Sequence, residues 1–188
     1  MRSAALGVGS DGKEAGAVFD VGSRVVHPCY GAGEIVHIRE KTIGDISHTY
    51  YIIDAVMGDM ELMVPVKRAD EVGLREVQPL LDLERALEEC AVPPDPDEIE
   101  KDYRRRKAKL GEALKSGDYD EVVEVARKLY FRSTNRVLGA TDRAMLNRAK
   151  DLLAAELALA ANTEVDWAME QIEERLAAMV AAEMEQAS

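Results

Sequence analysis

Near residue 77 the chain changes character, and that break does most to limit the folds open to it. Before it, short runs rich in Val, Ile, Tyr and Met are separated by Gly and Pro. After it, Ala, Leu, Glu, Lys and Arg recur at helical spacing. At 188 residues the chain has room for one large or two small domains. The change of period predicts two unlike ones in sequence, an α+β multidomain protein.

In the first part, 24–27 is a candidate strand, halted by Pro28 and a tight turn at Gly31-Ala32-Gly33. A second candidate runs over 34–41. After Gly44-Asp45 a third covers 49–56, whose Tyr50-Tyr51-Ile52-Ile53 centre is strongly β-prone. A Gly58-Asp59 turn leads into 60–64, which Pro65 closes, and 72–77 offers a last short strand. So few short strands cannot build a large sandwich. Closing them into a small SH3-like or Tudor-like antiparallel β-barrel would remove exposed edges.

The second part reads as an all-α helical bundle. A short helix over 80–90 ends at Pro93-Pro94-Asp95-Pro96. Asp97 is the expected cap of a helix to about residue 115, stopped by Ser116-Gly117. Asp118, with Glu121 three residues on, makes a capping-box-like start for the next, to about residue 133. Thr141 is expected to start a helix through 161, and Asn162-Thr163 to end it and cap a last one reaching about 184. Short connections favour an antiparallel bundle. The expected organisation is a flexible tail over 1–18, a β domain over 19–77, a short helix and Pro-rich linker over 78–96, and a helical domain over 97–188.

Composition excludes several classes. Hydrophobic residues make up 47%, spread along the chain, and no run approaches the ~18 apolar residues of a membrane span. No apolar segment of secretory length follows Arg2, so a cytoplasmic protein is expected. Cys29 and Cys90 have neither paired spacing nor a histidine motif, which favours free thiols over a zinc site or redox sensor. His27, His37 and His48 form no ligand set. The Gly31-Ala32-Gly33 run lacks the third glycine and helix of a dinucleotide fingerprint, and no serine sits in a nucleophile elbow. Glu88-Glu89 and Glu173-Glu174 fall on helices as solvated acids. No catalytic residue, metal or cofactor is assigned.

One stretch stands apart from the formal net charge of -12. Residues 101–109 read KDYRRRKAK, six basic side chains around one tyrosine. The overall charge repels phosphate and this segment attracts it, so contact with nucleic acid is expected to be local. Arg104 and Lys107 share a helix face, and Tyr103 lies four residues from Lys107. Arg143, Arg148 and Lys150 add cations on another helix.

The order of these features resembles a known family. FDVGSRVVHPCYGAGEIVHI, KTIGDISHTYYII and MGDMELMVPVKRADEVGLREV are similar to the RNA-polymerase-interacting module of the CarD/CdnL family of bacterial transcription regulators, which also occurs in transcription-repair coupling factors. Its markers are the Val25 to Ile35 turn pattern, Gly58-Asp59-Met60 and Val64-Pro65. YRRRKAKL, LKSGDYDEVVEVARKLYFR and LGATDRAMLNRAKDLLAAELALA resemble that family's carboxy-terminal domain.

The resemblance implies a division of labour. The β domain would bind the polymerase β subunit by edge-to-edge strand pairing, through Lys41, Thr42, Ile43 and Met63; Met63 stands where some members carry a basic residue. The helical domain would meet promoter DNA, in its minor groove and at its phosphates, at the upstream edge of the melted region. Tyr103 occupies the position where some members carry a wedging tryptophan. Arg105, Arg106 and Arg143 match phosphate-contacting positions, and Arg104 and Lys107 extend the same surface. The function implied is stabilisation or tuning of the open complex by a monomer, with no membrane partner. The alternative is a helical adaptor on polymerase whose basic stretch meets an acidic protein. Trp167 lies outside the matched core, and packing is its expected role.

Overall fold

A computed structural model describes residues 19–43, 46–58 and 60–186. The expected tail over 1–18, the Gly44-Asp45 turn and Asp59 lie outside the described residues. Five strands form one antiparallel sheet: β1 (Arg24–His27), β2 (Gly31–Ile43), β3 (Ile46–Ala55), β4 (Glu61–Pro65) and β5 (Arg75–Glu76), in the order β4-β3-β2-β1-β5. Five helices follow: α1 (Leu80–Glu88), α2 (Tyr103–Ser116), α3 (Tyr119–Asn135), α4 (Ala140–Ala161) and α5 (Val165–Gln186).

The expected closed barrel does not form, and the sheet stays open. β5 has two residues and pairs only with β1, while β4 pairs only with β3. Between them a 3-10 turn at Val66–Arg68 and the following loop deliver Ala69 and Leu74 to one face of the sheet. There Phe19, Val25, Ile35, Tyr51, Ile53, Leu62 and Val64 complete a small core. Side chains do what further strand pairing would otherwise do. Tyr51 also accepts the Phe19 main-chain N–H at 3.1 Å.

Strand alternation sends Val26 and Ala32 to the opposite face, where they meet Ala155 of α4 in a second cluster flanked by Val56, Met57, Val77 and Leu159. Gly31-Ala32-Gly33, expected as a turn, is the start of β2; the turn itself lies just before it, where Tyr30 N–H bonds the His27 carbonyl at 3.1 Å. Gly31 holds φ +87, and a Cβ there would sit 3.4 Å from Leu152 Cδ2. Glycine thus satisfies the backbone and lets α4 approach closely.

Polar contacts fasten the same seam. Arg24 donates to the Leu159 carbonyl at 2.7 Å and to Asn162 Oδ1 at 2.8 Å. Arg75 Nη1 and Nη2 grip Glu156 Oε1 and Oε2, at 2.6 and 2.7 Å, and Arg75 Nε donates to the Gly117 carbonyl at 2.7 Å. Sheet and bundle therefore meet through paired charges as well as apolar contact.

Within the 78–96 stretch, expected as a short helix and Pro-rich linker, the helical part packs into the bundle. Leu83, Leu87 and Cys90 are fully buried with Leu129, Leu153, Leu157, Ile172 and Leu176. Asp118 caps α3, its Oδ1 accepting the Glu121 N–H at 3.2 Å, as the sequence predicts. Asn162 ends α4 in the left-handed region at φ 57, also as expected of an Asn at that place. Trp167 remains 38% exposed, so its expected packing role is only partly met.

Candidate nucleic-acid interface

The basic stretch does not lie within a helix that begins at Asp97. Pro96–Glu98 is a single 3-10 turn, Ile99 is extended at φ -82 and ψ 108, and the helix starts at Tyr103. Ile99 leaves helical geometry to pack on the bundle core. Arg106 then takes the carbonyls of Glu100 and Lys101 at 3.0 and 3.3 Å, groups that a continuous helix would have used internally. The working cap is Asp102, whose Oδ1 accepts the Arg105 N–H at 2.9 Å.

This shift matters electrostatically. Tyr103, Arg104 and Arg105 occupy the first turn, which holds no acidic residue, so the two arginine charges add to the positive end of the helix dipole. Arg104, Arg105 and Lys107 are exposed. The expected Asp97, Glu98 and Glu100 screen precedes the helix instead of starting it.

Arg106 parts company with its neighbours. It is 4% exposed and lies against Asp142, itself 3% exposed, with Nη2 to Oδ2 at 3.0 Å and Nε to Oδ2 at 3.2 Å. Arg132 Nε reaches the same carboxylate at 3.3 Å. The expected phosphate contact by Arg106 is therefore replaced by an internal brace joining α2, α3 and α4. Burial lowers the Arg132 pKa, and the nearby Arg106 and Arg136 charges lower it further against the pull of Asp142. Positive charge is crowded at this corner, and one carboxylate holds it together.

Tyr103 is 49% exposed and doubly held. Its hydroxyl lies 3.0 Å from Thr141 Oγ1 in the first turn of α4, and the Arg106 guanidinium sits over its ring, 5.8 Å from the centroid. Thr141, expected to start α4, is its second residue after the Gly139 cap, and its hydroxyl serves the tyrosine. Exposed Arg143 lies two residues further on, with Nη2 donating to the Leu138 carbonyl at 3.3 Å. Tyr103, Arg104, Arg105, Lys107 and Arg143 thus belong to one braced region of the bundle. Sequence reasoning missed Arg136, exposed at the end of α3.

A groove of about 500 Å³ between α2 and α3 is a poor alternative for phosphate. Glu98, Glu100, Glu112, Glu121 and Glu124 line it against Lys109, Lys128 and the ion-paired Arg106. Among the described residues no group of His, Cys, Asp or Glu side chains is arranged to hold a metal ion. No described helix is long and apolar enough to cross a membrane.

The other expected contacts lie on the sheet. β1 pairs with β2 only over Gly31 to Glu34, and the register shifts between Ile35 and His37. Past that bulge β2 is paired with β3 alone, leaving an open backbone edge through Lys41 and Thr42. Lys41 lies opposite His48, and Met63 opposite Ile52, so Lys41 and Met63 share one sheet face. Thr42 falls on the other face, its hydroxyl 2.7 Å from that of Ser47. Ile43 ends the strand opposite Ile46, and its side chain is outside the described residues.

Comparison with known proteins gives this arrangement a context. Residues 19–78 match the family model described as the CarD-like/TRCF RID domain, and residues 93–173 match that of the CarD C-terminal domain. The chain is also 28% identical over 140 residues to a Bacillus subtilis (strain 168) protein named "Putative transcription factor YdeB", covering 74% of this chain and 90% of that one.

Proposed function

The chain belongs to the CarD-like family of transcription factors that interact with RNA polymerase, and we propose that it tunes the promoter open complex by holding polymerase with its sheet and DNA with its bundle. The open edge of β2, near Lys41 and Thr42, adds a strand to the polymerase β subunit, with Ile43 and Met63 beside it. Tyr103 meets the minor groove at the upstream edge of the melted region, while Arg104, Arg105, Lys107 and Arg143 hold phosphates. Arg106 acts through Tyr103 as a positioning residue and does not touch DNA.

The observation that carries this reading is a half-exposed aromatic ring, fixed at its hydroxyl and its face, at the start of a helix whose first turn is cationic. Such a ring is ordered before DNA arrives, so little conformational entropy is lost on contact. A net charge of -12 makes binding to free DNA weak, and the polymerase contact supplies the local concentration.

The test is promoter-opening kinetics with purified bacterial polymerase, with and without the protein. The double variant Arg104→Glu and Arg105→Glu should shorten open-complex lifetime while β-subunit binding persists. An unchanged lifetime would sink the DNA contact and favour an adaptor using protein contacts alone. Tight binding to free DNA at physiological salt would also count against the tethered mechanism.

A further inference from the structure

Val137 is 89% exposed, the most of any large apolar side chain among the described residues. An isolated apolar residue on a surface is ordinary. The setting of this one is not.

Val137 projects from the α3–α4 turn between exposed Arg136 and buried Leu138. Leu138 anchors the turn in the bundle core, Arg136 N–H bonds the Arg132 carbonyl at 3.1 Å, and Arg143 reaches the Leu138 carbonyl at 3.3 Å. The same α4 turn holds the Tyr103 hydroxyl through Thr141. Two apolar projections, Tyr103 and Val137, are therefore fixed to one braced part of the bundle. Exposed Arg104 and Arg105 follow the first; Arg136 and Arg143 stand by the second.

Charge complementarity selects the occupant. A polyanion whose charged strands enclose apolar stacked rings fits apolar tips set among guanidinium groups, and duplex nucleic acid at a melting edge has that form. A β-branched side chain has few rotamers to lose when it is inserted.

We propose that Val137 is a second apolar wedge, entering the minor groove at the upstream fork beside Tyr103, with Arg136 on the adjoining phosphate. This rests on the promoter-contact reading above and adds two residues to that surface.

The experiment measures open-complex lifetime with purified polymerase and the full chain, comparing Tyr103→Ala, Val137→Ser, Val137→Ile and Arg136→Ala. The exposed Val137 site makes Val137→Ser neutral for thermal unfolding and for β-subunit binding. Losing the apolar tip should shorten the lifetime about threefold to tenfold, as expected for removing a buried aliphatic contact, and Val137→Ile should preserve it. A shortened lifetime with Tyr103→Ala but none with Val137→Ser would overturn this inference and leave the promoter-contact reading standing. If neither variant nor the Arg104 and Arg105 reversal alters the lifetime, both readings fall. Weaker polymerase binding by Val137→Ser in the absence of DNA would assign the tip to a protein surface, and also overturn the proposal.

Discussion

Arg75 and Glu156 form a two-point ion pair across the seam between sheet and bundle, at 2.6 and 2.7 Å. Glu156 is 2% exposed, and its Oε1 also accepts the Gln78 N–H at 3.1 Å. Arg75→Ala leaves a buried carboxylate with one main-chain donor. Chemical denaturation should show a loss of about 3 kcal/mol, within the range for breaking a buried pair from one side. A loss below about 1 kcal/mol would mean that apolar contact alone holds the seam.

The neighbouring arginines of α2 should separate by assay. Arg106→Ala strands Asp142 in the interior and should cost about 3 kcal/mol, with only Arg132 left nearby. Arg104→Ala and Arg105→Ala remove exposed side chains and should change unfolding by less than about 0.5 kcal/mol. Thermal and urea unfolding of the three variants checks this. Equal effects would contradict the placement of Arg106.

Tyr103 can be tested in both directions. Tyr103→Phe removes the 3.0 Å contact with Thr141 and keeps the ring, so open-complex lifetime should fall about twofold to fivefold, in line with one modest hydrogen bond. Tyr103→Trp enlarges the apolar face and should lengthen it. A shorter lifetime with tryptophan would argue against ring insertion at that position.

The two thiols should differ in reactivity and in their effect on pH dependence. Cys29 is exposed, whereas burial pushes the Cys90 thiol from 9.0 up to about 12. One equivalent should react in the folded protein and two after denaturation. Because the folded value is raised, the contribution of Cys90 is fully present below about pH 9 and is lost as pH climbs toward about 12, where the unfolded thiol ionises first. Tyr119 is raised in the same sense, first by burial and then by Glu156. Urea unfolding at a series of pH values above 9 should show a shallower decline for Cys90→Ala than for the unaltered chain.

The fold was legible where local chemistry decided it. Asp118 announced α3 because a carboxylate placed before Glu121 has one natural partner, the Glu121 N–H. The open sheet was harder, since its gap is filled by Ala69 and Leu74 from a loop whose packing has no sequence period. The start of α2 was misplaced because Asp97 and Asp102 are equally good caps in isolation. The inward turn of Ile99 chose between them. Arg106 had a readable signal: it lies four residues before buried Leu110, on the apolar stripe of α2. Its partner Asp142 is 36 positions away, a pairing that only the folded bundle reveals.

Helix α4 carries Thr141, Asp142 and Arg143 in its first turn, and Leu152, Ala155, Glu156 and Leu159 against the sheet. Asp142 and Glu156 are thus about 21 Å apart along a helix rising ~1.5 Å per residue, close to six base pairs at ~3.4 Å each. Under the proposed function, with polymerase held by the sheet and DNA by the bundle, that length is a ruler. On that proposal, the place on a promoter where it acts is set by distance from the enzyme, and promoters should differ in their response by how easily that spot comes apart.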